Sequence, residues 1–356
     1  MDADPQPRHD PVTAAALVAR PARGDATTPT GAAATGGRDV AAVERLAGDV
    51  AAAVERVIVG KRDQVRLALV ALLVEGHVLI DDVPGVAKTL LVRTLAAALG
   101  LRFARVQCTP DLLPADVTGS EVFDQRTAQF EFRPGPVFAN LVLADEVNRA
   151  TPRTQSSFLE AMEERQVTVE GASHPLPRPF LVLATQNPVE LKGTFPLPEA
   201  QLDRFLLRLR MGYPSRDEET AMLGRFRTDD PLAAVRPVAG VDELLAAQRL
   251  VREVHVGPPV EGYVVDLVRA TREAPDVALG ASPRAALALM RAAQASAALA
   301  GRGYVVPDDV AGLAVAVLSH RLLLARDAAA ERRRPEDVVA GLLAEVAAPV
   351  ESPAGD

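Results

Sequence analysis

Tryptophan is missing from this 356-residue chain, aromatic residues supply only 4% of it, and it holds a single cysteine, Cys108. One thiol excludes an internal disulfide, and the five histidines, scattered without ligand spacing, give no structural zinc framework. The fold must therefore rest on apolar packing. With 48% hydrophobic residues there is material for two cores. Long apolar runs are also wanting: stretches such as "LALVALLV" (Leu67 to Val74) fall far short of the roughly 20 residues a membrane-crossing helix needs. An export signal is not expected, since Asp2 and Asp4 precede the weak apolar run "TAAALVA" where such a signal requires positive charge. A reducing cytoplasm without membrane insertion is the expected setting. Basic blocks are lacking too; the net charge is -8 with both signs interleaved, which offers a nucleic-acid duplex no electrostatic footprint.

Met1 to Arg38 is rich in Ala, Pro, Thr, Gly and Asp and has almost no large apolar side chain, so a disordered tail is expected there. From residue 39 the pattern takes a helical period, with Val43, Leu46, Val50, Val54 and Val57 on one face, and a second helix is expected over Lys61 to Glu75. Five short apolar runs follow, "HVLID" (77–81), "RFARVQC" (102–108), "ANLVLAD" (139–145), "PFLVLAT" (179–185) and "RFLLRLR" (204–210), with helices expected at Lys88 to Leu99 and Pro152 to Arg165. Runs of this kind between helices read as parallel strands buried on both faces, and their alternation predicts a doubly wound α/β layer. Two hairpins are expected, at 121–132 and at 166–176 around Gly171. Beyond Pro214 the reading is helical only, with helices expected at Asp217 to Arg227, Val241 to Val254, Tyr263 to Glu273, Pro283 to Ala300 and Pro307 to Leu324. The predicted division is an N-terminal tail (1–38), an α/β core (39–213), a helical domain (214–346) and a C-terminal tail (347–356).

Inside the first strand–helix junction stands "DDVPGVAKT", close to the phosphate-cradling pattern G-x-x-x-x-G-K-[ST] but with Asp82 and Ala87 in place of its glycines. A strand, a tight turn, Lys88 to reach phosphates, Thr89 to offer a hydroxyl to Mg2+ and the positive end of a helix are the parts such a cradle needs. Asp82 is expected to tolerate a left-handed backbone. Ala87 is expected at the helix entrance with negative φ, where its methyl group costs little. Taken alone, the loop fits an ordinary strand–turn–helix equally well.

Three further strand ends carry polar groups. "NLVLADEVNRA" ends a buried run with Asp145 and Glu146, a costly placement unless a cation or substrate uses them. Asp145 could hold Mg2+ with Thr89 while Glu146 activates water, or the pair could cap a solvated turn. "FLVLATQNP" brings Asn187, able to face a γ-phosphate or only to form an Asn-Pro turn. Arg204 precedes the last strand, suited either to phosphoryl charge in a neighbouring subunit or to an ion pair with Asp203. Arg284 follows Ser282 and Pro283 at a helix start, as a lid residue reaching the nucleotide or as a solvated charge.

In this order the motifs resemble those of the AAA+ ATPases, and within them the MoxR family. "DDVPGVAKT" looks like the family's Walker A, "LVLADE" its Walker B, "ATQNP" its first sensor, "PEAQLDRF" its arginine-finger segment and "SPRAAL" its second sensor; the likeness runs from about Val40 to Leu343. The resemblance implies an AAA+ α/β core with a five-stranded parallel sheet, and an all-helical C-terminal lid. It implies ATP and Mg2+ as cofactors, with the nucleotide on Asp82, Val83, Pro84, Gly85, Val86, Ala87, Lys88, Thr89 and Leu90 and with Mg2+ on Thr89 and Asp145. Glu146 would activate water, Asn187 and Arg284 would sense the γ-phosphate, and Arg204 would reach the next protomer. A hexameric ring is implied as well, serving a von Willebrand factor A domain client, often in metal insertion. Three alternatives stay open: a magnesium-chelatase-like motor subunit, a non-catalytic nucleotide-dependent scaffold, and a nucleic-acid motor, the last disfavoured by charge.

Overall fold

The structure, a computed structural model, describes residues 36–83, 85–187, 193–227 and 230–349. The expected tails lie largely outside this range, at 1–35 and 350–356, whereas 36–38 already belong to the first helix.

The described residues open with α1 (Gly36–Glu55) and α2 (Arg62–Leu73), then β1 (Val78–Asp81), α3 (Lys88–Ala98), β2 (Phe103–Gln107), α4 (Pro114–Thr118) and the hairpin β3 (Gly119–Asp124)/β4 (Gln129–Pro134). Next come β5 (Leu141–Asp145), α5 (Pro152–Glu164), the hairpin β6 (Gln166–Val169)/β7 (Ala172–Pro175), β8 (Leu181–Gln186), α6 (Glu199–Leu202) and β9 (Leu207–Leu209). The second half holds α7 (Arg216–Arg225), α8 (Val241–Arg252), α9 (Pro258–Glu273), β10 (Val277–Leu279), α10 (Pro283–Leu299), α11 (Pro307–Leu318), β11 (Leu323–Leu324), α12 (Arg326–Ala330) and α13 (Pro335–Glu345). Thus the five runs do form one parallel sheet, in the order β2-β5-β8-β1-β9, and both hairpins form where expected.

Strand parity explains why the three central strands, β1, β5 and β8, carry almost no polar residues. Val78, Ile80, Leu141, Leu143, Leu181 and Leu183 face one apolar cluster, while Leu79, Val142, Ala144, Val182 and Ala184 face the other, where Phe158, Leu159 and Met162 of α5 pack. Alternate side chains point to opposite faces, so a strand covered on both sides must be apolar throughout. The first cluster continues without a break into the second half: Val43, Val50 and Val54 of α1 share it with Leu244 of α8 and Leu289 of α10. The N-terminal helix therefore ties the core to the helical domain.

Three expectations need correcting. The second half is not purely helical, because β10 pairs antiparallel with β11 (Val277↔Leu324, Leu279↔Leu323), two pieces too short to show a period in sequence. The helix expected to reach Leu324 stops at Leu318, followed by a 3-10 turn over Ser319–Arg321. The last core strand is shorter than expected at its start, which leaves Arg204 in the turn after α6 rather than at the strand entrance.

Candidate functional site

In an open α/β sheet, ligands settle in the crevice beyond the carboxyl ends of the strands, where the strand order reverses. Here the chain leaves β1 for the far edge at β2, returns through β5 and β8, and later crosses to β9 on the other side of β1. Asp82, Gln107, Asp145, Glu146 and Asn187 all stand at these ends. The last four, together with Gly85, Ala87, Lys88, Thr89, Leu90 and Arg105, line one cleft of about 430 Å³. Beside it, sharing Gly85, Ala87 and Leu90, lies a narrow slot of about 50 Å³ walled by Val57, Ile58, Met222 and Phe226. A charged cleft thus opens onto an apolar one.

The loop is built differently from expectation at both departures. Ala87 has φ 63 and ψ 23, a left-handed residue that caps α3 rather than entering it, so the expectation of negative φ was wrong. The chain must reverse hand between strand and helix there, and a non-glycine residue meets that need at a cost of roughly 1–2 kcal/mol. Asp82 is not left-handed. It works as an acceptor instead, taking Val83 N at 2.8 Å on Oδ1 and Gly212 N at 2.6 Å on Oδ2. Gly85 is left-handed with φ 84, and a Cβ there would meet no heavy atom within 4 Å. Pro84 lies outside the described residues.

Lys88 Nζ donates to the carbonyl of Asp82 at 2.9 Å, so its charge is folded back onto the loop at the cleft wall. Asp145 receives Arg105 on Oδ2, from Nη2 at 2.7 Å and Nε at 3.1 Å, and Thr185 Oγ1 on Oδ1 at 2.6 Å. Glu146, with φ 56 and ψ 50, is the second strained residue of the cleft. Its backbone N–H donates to Thr185 Oγ1 at 2.8 Å, and its Oε2 accepts from Gln107 and Arg149, each at 3.2 Å. Asn187 is buried at the end of β8. Beneath the carboxylates sits Cys108, whose thiol is pushed up to about 12, first by burial and then by Asp145 and Glu146. It is a neutral packing residue.

Sequence reasoning missed Arg105, Gln107 and Thr185. A faint signal existed for the first two, because Arg105 and Gln107 share one parity of β2 while Val106 is buried on the other. What they face is decided by β5 lying next to β2, which aligns Gln107 with Asp145.

Two expected site residues stand elsewhere. Arg204 pairs with Glu163 (Nε to Oε2, 3.1 Å) and donates to the carbonyl of Leu159 at 3.0 Å. Arg284 donates to the other oxygen of Glu163, also at 3.1 Å. Both guanidiniums therefore sit side by side at the C-terminal end of α5, and Arg284 does not line the cleft. Asp203, the alternative partner for Arg204, is held by Arg321 at 2.8 Å and by Ser282 Oγ at 2.9 Å instead.

The chain matches two family models: the ATPase family associated with various cellular activities (AAA) over residues 77–207, and the AAA lid domain over 269–342. It is 45% identical over 305 residues to Chaperone MoxR1 of Mycobacterium tuberculosis, covering 83% of this chain and 80% of that protein. The chain belongs to the MoxR family of AAA+ ATPases. A further relative is the uncharacterized protein YeaC of Bacillus subtilis, 50% identical over 306 residues, with 86% of this chain and 96% of the relative covered. A solved structure from Cytophaga hutchinsonii, 38% identical, superposes with a TM-score of 0.83 over 88% of this chain and 98% of its own. The AAA+ core and lid described above are thus the fold of the family.

Proposed function

We propose that this MoxR-family protein hydrolyses ATP with Mg2+, works as a homo-oligomeric ring in the cytoplasm, and uses the cycle to remodel or mature a partner protein. The convergence of Lys88, Thr89, Asp145, Glu146 and Asn187 on one cleft, joined to an apolar slot, carries this conclusion. A triphosphate suits the charged cleft and a purine base the slot. The donor set fits the metal, since the Thr89 hydroxyl and the Asp145 carboxylate are hard oxygen ligands on neighbouring elements. Bound there, Mg2+ would neutralise charge on the transferring phosphoryl group.

The chain's own groups account for the rest. Lys88 exchanges its Asp82 carbonyl for a phosphate oxygen, and the free N–H groups at the start of α3 add their partial charge. Glu146 takes a proton from the attacking water as the water oxygen bonds the γ-phosphorus and the bond to the bridging oxygen breaks, leaving ADP and phosphate. Asn187 orients that water by hydrogen bonding. Arg204 and Arg284, paired on Glu163, are assigned to the nucleotide of the neighbouring protomer, with Arg284 sensing its γ-phosphate.

By resemblance the client is a von Willebrand factor A domain protein and the outcome of remodelling is metal insertion. The decisive test is ATP turnover by the purified protein against Glu146→Gln. Loss of turnover with retained ATP binding supports an ATPase; equal rates would favour a nucleotide-dependent scaffold. Affinity capture with Glu146→Gln in ATP then identifies the client, and recovery of a chelatase catalytic subunit would favour the chelatase-like alternative.

A further inference from the structure

At the opposite, N-terminal edge of the sheet lies a cavity of about 590 Å³ between the core and the helical domain. Its walls carry Glu75, just ahead of β1, with Arg165 and Arg178 from the core and Arg252 and Arg291 from α8 and α10. Glu75 is the only acid among these lining residues, so four guanidiniums meet one carboxylate and three positive charges are left over. The Glu75 side chain is only 3% exposed and already saturated: Arg178 reaches it at 2.5 Å, Arg252 at 3.3 Å and Arg165 Nη1 at 3.2 Å. Arg165 Nη1 approaches off the hydrogen-bonding direction, and this buried nitrogen has no hydrogen-bond partner. Like charges gathered in a half-enclosed space, with a donor left unsatisfied, are costly unless an anion answers them. The strain is visible on Arg165 itself: burial lowers its pKa most, Glu75 opposes this, and Arg178, Arg252 and Arg291 add to the lowering.

We infer that this cavity is a second anion site, one that takes a small, multiply charged phosphate compound and is distinct from the cleft at the other end of the sheet. Guanidinium forks match phosphate oxygens in pairs, and a pyrophosphate group carries enough charge to answer the net excess of three positive charges around Glu75. A single acidic side chain from another protein would answer only one of them and fill little of the volume. Since the arginines come from both halves of the chain, an anion here binds core to lid, a contact distinct from the Glu163 pairings.

The test uses the full-length chain carrying Lys88→Ala, which weakens phosphate binding in the strand-end cleft, titrated calorimetrically without Mg2+ at low salt. Pyrophosphate and ADP are the probes. Saturable pyrophosphate binding at one site per chain is expected, weakened at least about tenfold when Arg178→Gln or Arg291→Gln is added, and reduced by salt. Arg291 makes no ion pair with Glu75, so its variant leaves the Glu75 pairings intact and should fold even if Arg178→Gln does not. Tighter binding of ADP than of pyrophosphate, weakened by the same arginine substitutions, would assign the site to a nucleotide-borne phosphate, and the reverse to the inorganic ion. Absence of binding, or binding that both arginine variants leave untouched, overturns the inference. So does a change of oligomeric state in the arginine variants without pyrophosphate binding, which would give the cluster to a protein carboxylate. None of these outcomes bears on whether the strand-end cleft hydrolyses ATP.

Discussion

His77 offers a quantitative check on how the sheet is anchored. It sits at the N-terminal end of β1, 5% exposed, with Nδ1 accepting from Val182 N at 2.9 Å and Nε2 donating to the carbonyl of Met162 at 3.0 Å. One imidazole thus ties β1 to β8 and to the turn of α5 ahead of Glu163. Only the neutral ring can do this, because a proton on Nδ1 would confront the Val182 N–H. Burial lowers its pKa from 6.5 to about 3, with Arg165 and Arg284 also lowering it and the Met162 hydrogen bond opposing. A base whose folded pKa is depressed gives its full stability above the unfolded value and loses it as pH falls toward the folded one. Below the unfolded pKa that loss grows by about 1.36 kcal/mol for each further pH unit, so His77 should cost roughly 2 kcal/mol of stability between pH 7.5 and 5. The assay is urea unfolding at both pH values for the native sequence and for His77→Gln. His320 is also buried, with its pKa well below the ordinary value, but it titrates in both proteins and cancels in the difference. The variant should be less stable at pH 7.5 yet lose about 2 kcal/mol less on acidification. Equal losses in the two proteins would refute a buried neutral His77.

Other outcomes follow from single side chains. Ala87→Gly should stabilise the protein by about 0.5–1 kcal/mol in urea melts, since it relieves left-handed strain of roughly 1–2 kcal/mol while adding freedom to the unfolded chain; destabilisation would contradict the left-handed conformation. Glu146→Gln should lower ATP turnover on the order of 100-fold or more while ATP affinity holds, whereas Lys88→Ala should weaken binding itself, as read by calorimetry. Mixing Arg204→Ala with Glu146→Gln subunits should restore turnover that neither shows alone, because each supplies what the other lacks at a shared interface; no recovery would argue against action across subunits. Ellman's reagent at about pH 8 should leave Cys108 unmodified in the native protein and titrate it only after denaturation, as its burial and its pKa of about 12 require.

Much of the site was legible because local rules govern it. A strand buried on both faces must be a short apolar run, so β1, β5 and β8 and their polar ends announced themselves; Asp145, Glu146 and Asn187 followed as the residues at those ends, and Lys88 and Thr89 as the start of the helix after β1. Turn chemistry likewise marked both hairpins. What the chain could not disclose locally depended on which strand lies beside which and on how the backbone turns. Arg105 meets Asp145 across 40 residues only because β2 borders β5, and Arg284 meets Glu163 across 121 because the helical domain packs against the end of α5. The left-handed Ala87, the acceptor role of Asp82, the apolar slot beside the loop and the arginine cavity around Glu75 are of the same kind. Periodicity encodes which face of an element is buried, but the identity of a distant neighbour is set only when all the elements are packed at once.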